Sequence, residues 1–283
     1  MSRPLSATVR CQFALELRSG LDNAIAGSQR NNAVPDRAPH CSVHLYALCW
    51  NEERLLPFFF RHYDAFVTRY FIYDHNSTDL SRQILTAHPN VTVRKFEVCG
   101  DSYVSSASDF YNDAWKQSRG RADWVVICNI DEHLEHPDFA GLFGRAHESG
   151  ATIFASEGFE MITASFPKET APLREQTHRG WRSELLDKTS VFNPDAIREI
   201  NYRPGRHVCT PQGCLVWAAE RVRLLHYKYL GLDYLQQRSA ELGARRLVGD
   251  LRQNLAYHYD TTAAQLAEIY RLKIATASSI DPN

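Results

Sequence analysis

The chain has 283 residues, 44% hydrophobic and 23% charged, with 32 Lys+Arg against 33 Asp+Glu and a formal net charge of −1. This is ordinary globular composition, enough for one large domain or two small ones; the lack of a basic stripe sets aside nucleic acid as a main partner, and apolar runs of only a few residues set aside a membrane span. "MSRPLSATVR" lacks the apolar centre of a secretory signal, and seven cysteines (11, 41, 49, 99, 128, 209 and 214) without a CxxC pair point to reduced thiols in a cytoplasmic protein, although "CTPQGC" leaves one close pair.

Residues 1–40 form an N-terminal extension of uncertain structure, ending in the polar, Pro-containing "GSQRNNAVPDRAPH". "SVHLYALCW" (42–50) is a predicted strand. "NEERLLPFFFRHYDAF" (51–66) is a predicted helix with Asn51 as its N-cap and two acids in the first turn. Strands follow at 69–74, 91–98, 123–130 and 151–159, alternating with helices at 79–88, 105–120 and 138–150. This alternation predicts an α/β fold with a mostly parallel sheet flanked by helices, and ligands in such sheets bind at the carboxyl ends of the strands. Three polar clusters fall at such ends: "WNEE" after the first strand, "YDHNSTD" after the second and "NIDEH" after the fourth.

After residue 160 the pattern loosens. "TASFPKETAPLREQTHRGW" (163–181) is either a loop over the site or a long surface connection. "KTSVFNPDAIREI" and "CLVWAAERVRLLHYKYL" are strands with turns, and two helices near 232–247 and 262–275 close the chain.

Asp131 offers a hard oxygen ligand for Mg²⁺ or Mn²⁺. Asn129 and Asp131 share one face if the strand continues. The plainer reading of "CNIDEHLEH" is a turn capped by acids. In "YDHNSTD", Asp74 and Asn76 can hydrogen-bond a base or ribose, or merely build an Asx-type turn, and Ser77 or Asp79 can cap the next helix.

"CWNEERLLPFFFRHY", "YFIYDHNSTD", "WVVICNIDEHL" and "LLHYKYL" stand in the order seen in family 2-like glycosyltransferases, and over roughly residues 42–235 the chain resembles the branch with "NE", "D-N-S-T-D", "D-x-D-E-F" and a late "HY". The resemblance implies a GT-A fold, with a nucleotide-sugar-binding half (41–160) and an acceptor-side half (161–283) in a single compact domain. It also implies a nucleotide-sugar donor, a glycan or lipid-linked acceptor, a divalent metal (Mn²⁺ or Mg²⁺) and inversion at the transferred sugar. By position, Asp74 looks like the residue that reads the base, with Asn51 and Glu52 in the same pocket. Asn129 and Asp131 stand at the D-x-D positions, so Asp131 holds the metal while Asn129, which replaces the first acid, contacts ribose. His133 replaces the usual aromatic residue. His226 matches a late histidine that completes a metal shell. Lys188 and His207 stand where the branch has cationic groups that neutralise phosphate or touch acceptor.

Inversion needs a general base. Glu160 and Glu157, at the end of the fifth strand, are candidates, with Glu160 preferred and Asp187 behind them. If His226 is a metal ligand with an ordinary pKa near ~6.5, metal-dependent activity falls as pH drops through that region. Two other readings compete: a metal hydrolase or phosphoesterase using Asp131, His133, His136 and His226, and a non-catalytic nucleotide- or glycan-binding module in which Asn129 marks a degraded site.

Overall fold

A computed structural model describes residues 41–281; the N-terminal extension expected at 1–40 lies outside them. In chain order the elements are β1 (Val43–Cys49), α1 (Leu56–Tyr63), β2 (Arg69–Asp74), α2 (Ser81–Ala87), β3 (Val91–Lys95), α3 (Tyr103–Asp113), β4 (Trp124–Ile127), β5 (Glu132–Glu135), α4 (Phe139–Glu148), β6 (Ile153–Phe154) and β7 (Ser156–Thr163). They continue with α5 (Leu173–Gln176), β8 (Arg179–Arg182), β9 (Val191–Phe192), β10 (Ile197–Glu199), β11 (Gln212–Gly213), β12 (Val222–Leu230), α6 (Leu232–Ala244), α7 (Val248–Arg252), α8 (Ala263–Thr276) and β13 (Ser278–Ser279).

The first sheet has the order β3-β2-β1-β4-β9-β6. Its β3, β2, β1 and β4 are parallel, with Cys49 opposite Asp74 and Tyr46 opposite Ile127. β9 and β6 add antiparallel edges. The second sheet, β13-β8-β7-β12-β5, is parallel only between β7 and β12. The architecture is therefore α/β with mixed sheets, and the expected mostly parallel sheet is limited to four strands in Rossmann-like order. β5 joins the second sheet although it follows β4 directly, and β9 returns to the first.

The core explains the parallel strands. Every residue of β1 and β4 is buried, as required of strands covered by helices on both faces. One face packs on α1 and α4 through Phe59, Tyr63, Leu142 and Phe143, and the other on Phe110 of α3 and on Trp115 in the turn that follows it.

One local expectation fails. Asn51 does not cap α1; it sits at φ 50°, and the helix begins five residues later at Leu56, with no acid in its first turn. Pro57 in the first turn sets that start, because a proline there forfeits no helical hydrogen bond. Residues 163–181 are a packed connection. Phe166 sits against Tyr234 with ring centroids 4.8 Å apart, and Gln176 ties the loop to Lys168 and Ala171. Cys209 is a free thiol, so the close pair in "CTPQGC" is not a disulfide.

Candidate active site at the carboxyl ends of the parallel strands

Because β1, β2 and β4 run parallel, the three polar clusters leave the sheet along one edge. Two of them are laced together. The Asn51 amide N–H donates to Ser77 Oγ at 2.9 Å, Thr78 N–H to Asn51 Oδ1 at 2.8 Å, and Glu52 N–H to Ser81 Oγ at 2.7 Å. Asp79 accepts from Ser81 N–H at 2.9 Å and from Glu53 N–H at 3.1 Å. Asn51 and Asp79 thus build the edge itself. Asp74 is buried and accepts from Ser77 N–H at 3.3 Å in an Asx-type turn. Asn76 is exposed at φ 54°, a left-handed position that asparagine tolerates.

The third cluster departs from a continuing strand. β4 stops at Ile127, and a turn at 130–131 leads into β5, so Asn129 and Asp131 do not share a strand face. Asn129 Oδ1 accepts from Tyr111 Oη at 2.7 Å, while Asp131 turns to His226.

Register produces the central constellation. In the second sheet His226 of β12 lies opposite Glu160 of β7 on one side and Glu132 of β5 on the other. Tyr227 N–H donates to Asp131 O at 2.8 Å and fixes the turn beside it. The imidazole then bridges two carboxylates, with Nδ1 3.0 Å from Glu160 Oε2 and Nε2 3.1 Å from Asp131 Oδ2. Burial alone would make this ring harder to charge. The Glu160 and Asp131 carboxylates outweigh burial and raise its pKa to about 10. Burial works against ionisation of both acids, and the His226 charge prevails, leaving each below its ordinary value.

The arrangement suits a divalent ion. Two neighbouring ligand atoms at ~2.1 Å from an octahedral ion lie about 3 Å apart, which is the Asp131–His226 spacing. A carboxylate on the far nitrogen of a ligating histidine holds the ring and its tautomer, and Glu160 stands there. Among the described residues no group of three or more His, Cys, Asp or Glu side chains is arranged to hold a metal by itself.

Glu132 is adjacent in sequence and wholly different. Its carboxylate is fully buried; Oε1 accepts from Lys188 Nζ at 2.5 Å, and Oε2 accepts from Arg206 and from Asn129 N–H at 2.9 Å. Burial opposes its charge, but Arg206 and Lys188 hold the carboxyl far below the usual range. Lys188 is therefore neither solvated nor presented to the edge. Arg206, which the sequence reading missed, also donates to Ile127 O at 2.7 Å and lies 4.7 Å from the Tyr111 ring centroid. His207 is exposed and bonds to Leu185 O through Nδ1.

Other candidates lie elsewhere. Glu157 is three residues before Glu160 on β7, on the opposite face, half-exposed and 3.9 Å from Arg221. Asp187 accepts from Gly158 N–H at 2.8 Å and from Arg182 at 2.5 Å, a clamp on β7. His133 points to the other side of β5, where it is buried and stacks on His62 at 4.6 Å; burial pushes its pKa well down. His136 bonds locally to Asp138. Neither joins Asp131 and His226, so the geometry does not assemble the hydrolase ligand set.

α6 closes the edge from above. Arg238 donates to Trp50 O at 3.0 Å and to the Glu52 carboxylate, and Arg245 lies 3.5 Å from the Trp50 ring centroid and bonds to His75 Nδ1 at 3.0 Å. Burial outweighs the pull of Arg238 and, with Asp131 and Asp79 adding to the rise, leaves Glu52 at about 8. A cavity of about 120 Å³ opens there, lined in part by Glu52, Tyr234 and Arg238. Spacing could have shown the arginines: seven residues is two helical turns, so 238 and 245 share a face.

No family model matches the chain. No curated protein matches it either. Among solved structures, TarS 1-349 of S. aureus is similar at 10% identity and a TM-score of 0.38, over 80% of this chain and 70% of that one. The same fragment in complex with UDP-GlcNAc gives 10% identity and 0.39, over 72% and 66%. Glucosyl-3-phosphoglycerate synthase from Mycobacterium tuberculosis, in complex with Mn2+, UDP and glucosyl-3-phosphoglycerate, gives 15% and 0.30; this chain covers 44% of it and 42% of itself is matched. At these values the likeness bears on neither activity nor ligands.

Proposed function

We propose that the chain is a metal-dependent glycosyltransferase of the GT-A type, moving a sugar from a nucleotide-sugar donor to the hydroxyl of a glycan or lipid-linked acceptor, with inversion. The observation that carries this reading is the Asp131–His226 donor pair, backed by Glu160, at the carboxyl edge of a Rossmann-ordered parallel sheet. The order of the four sequence motifs agrees with it.

Asp131 and His226 would hold Mn²⁺ or Mg²⁺, and the bound ion would neutralise charge on a departing diphosphate. To hold the ion His226 would give up its Nε2 proton and would keep Nδ1–H on Glu160 Oε2. Glu160 Oε1 is left to accept the proton of the acceptor hydroxyl. Asp74, Asn51 and Glu52 line the nucleoside side, with Asn129 toward ribose. Lys188 acts at a distance, by fixing Glu132 and with it the Asp131 turn. The protein would act in the cytoplasm.

Thermal shift with nucleoside diphosphates and Mn²⁺ or Mg²⁺ tests the reading. A ligand at a hundredfold excess over its dissociation constant adds about 2.7 kcal/mol of stability. If no nucleotide shifts the melting temperature at millimolar concentration with metal present, the reading falls.

A further inference from the structure

Beside Glu160 the second sheet gathers two lysines that form no ion pair among the described residues. Trp181 of β8 lies directly opposite Glu160 of β7, so the two side chains share a face. The Trp181 and Tyr229 rings lie 5.3 Å apart. Lys273 of α8 holds its ammonium 3.9 Å from the Trp181 ring centroid and 5.5 Å from that of Tyr229. Lys228, two residues after His226, holds its own 5.8 Å from the Tyr229 centroid.

Other cations of this sheet are bound. Arg182 pairs with Asp187, Arg223 with Glu135, and Arg179 donates to Ile274 O and Ala277 O. Among the described residues, Lys228 and Lys273 make no ion pair with any carboxylate. Glu160 attracts both lysines at longer range, but its Oε2 already faces His226, so one carboxylate is shared among three cationic groups. Burial lowers the Lys273 pKa, and Lys228 adds to that fall while Glu160 opposes it. Aromatic faces compensate only weakly where water has access. Two lysines converging on one partly buried shelf beside a reactive carboxylate are the outline of an anion subsite.

We propose that Lys228 and Lys273, with Trp181 and Tyr229 as the apolar wall, bind an anionic group, carboxylate or phosphate, on the sugar or polyol whose hydroxyl Glu160 deprotonates. The acceptor is thus anionic. This rests on the glycosyltransferase reading and deepens it. The apolar wall takes the C–H face of the acceptor, and the ammonium groups fix which hydroxyl meets Glu160.

The test is calorimetric titration of the full chain with glucuronate, glucose 6-phosphate and glucose, with Mn²⁺ and UDP present and again without them. At least one anionic sugar should bind tenfold or more tightly than glucose. The preference should shrink as salt is added and vanish in the double variant Lys228→Gln, Lys273→Gln, with UDP–Mn²⁺ affinity unchanged. Comparison of the two anions tells carboxylate from phosphate. Single variants, each expected to lose part of the preference, serve if the double variant does not fold. Equal affinities for all three sugars, no measurable binding of either anion, or a preference that survives both substitutions would overturn the proposal. The glycosyltransferase reading is judged separately by the nucleotide melting shift, which these lysines should not affect.

Discussion

Asp131 and Glu132 are consecutive acids with opposite surroundings. Asp131 is partly exposed, shares a single proton-bearing ring with Glu160, and leaves room for further ligands. Glu132 is sealed, and its oxygens face Lys188, Arg206 and the Asn129 N–H. The difference shows how one short motif divides its work. A group meant for chemistry keeps unmet coordination, whereas a group meant for architecture has every lone pair occupied.

The comparison is broken most severely at Glu132. Glu132→Gln leaves Lys188 and Arg206 buried without a counter-charge and should cost about 3–5 kcal/mol, read as a shift in the urea midpoint at constant slope. Asp131→Asn should cost less, because Glu160 still faces the His226 ring. It should remove turnover and the stabilisation by nucleoside diphosphate plus Mn²⁺, about 2.7 kcal/mol at hundredfold ligand excess. If the Glu132 variant is as stable as wild type, or the Asp131 variant keeps its metal response, the division of roles is wrong.

A third prediction concerns protons. An unfolded histidine titrates near ~6.5, and His226 in the fold near about 10. A raised folded pKa gives stabilisation that is complete below the unfolded value and disappears as pH rises through the folded one. Metal-free stability should therefore decline between pH ~6.5 and about 10, and His226→Gln should flatten that decline. Mn²⁺ must displace this proton, so its affinity should rise with pH through the same window, with proton release measurable by calorimetry in buffers of different ionisation enthalpy. This moves the acid limit of metal binding above the ~6.5 of an unperturbed histidine. The smallest effect is a control: Glu157→Gln, on the far face of β7, should change stability by no more than ~0.5 kcal/mol and leave kcat unchanged.

The sequence showed most of this edge and little of its wiring. The alternation of strands and helices located β1 to β4, and motif order singled out Asp131 and His226 95 residues apart. Alternation alone could have turned His133 away from Glu132, since adjacent β5 residues face opposite sides. The partners of Lys188 and Asp187 depend on how β7, β12 and the 183–188 connection meet in space, which no local pattern encodes. Arg206 was the least legible. "RPGRH" reads as a basic surface turn, yet the fold inserts its guanidinium beneath β4, with Gly205 at φ 78° and Arg206 itself at φ 60° to allow it.

The sealed triad also bears on how the chain reaches its native state. Lys188 and Arg206 stand 56 and 74 residues from Glu132, so neither contact can form until long loops close, a slow search in any chain. A collapsed intermediate that has joined β1 to β4 but not yet seated these two cations must keep Glu132 hydrated or bury it unpaired, at a cost of several kcal/mol. Desolvation of the Asp131 turn therefore waits for the chain through Arg206 to arrive. The triad makes the last consolidation of the reactive edge a cooperative event, in which a prematurely closed and wrongly wired edge is held at higher free energy than an open one.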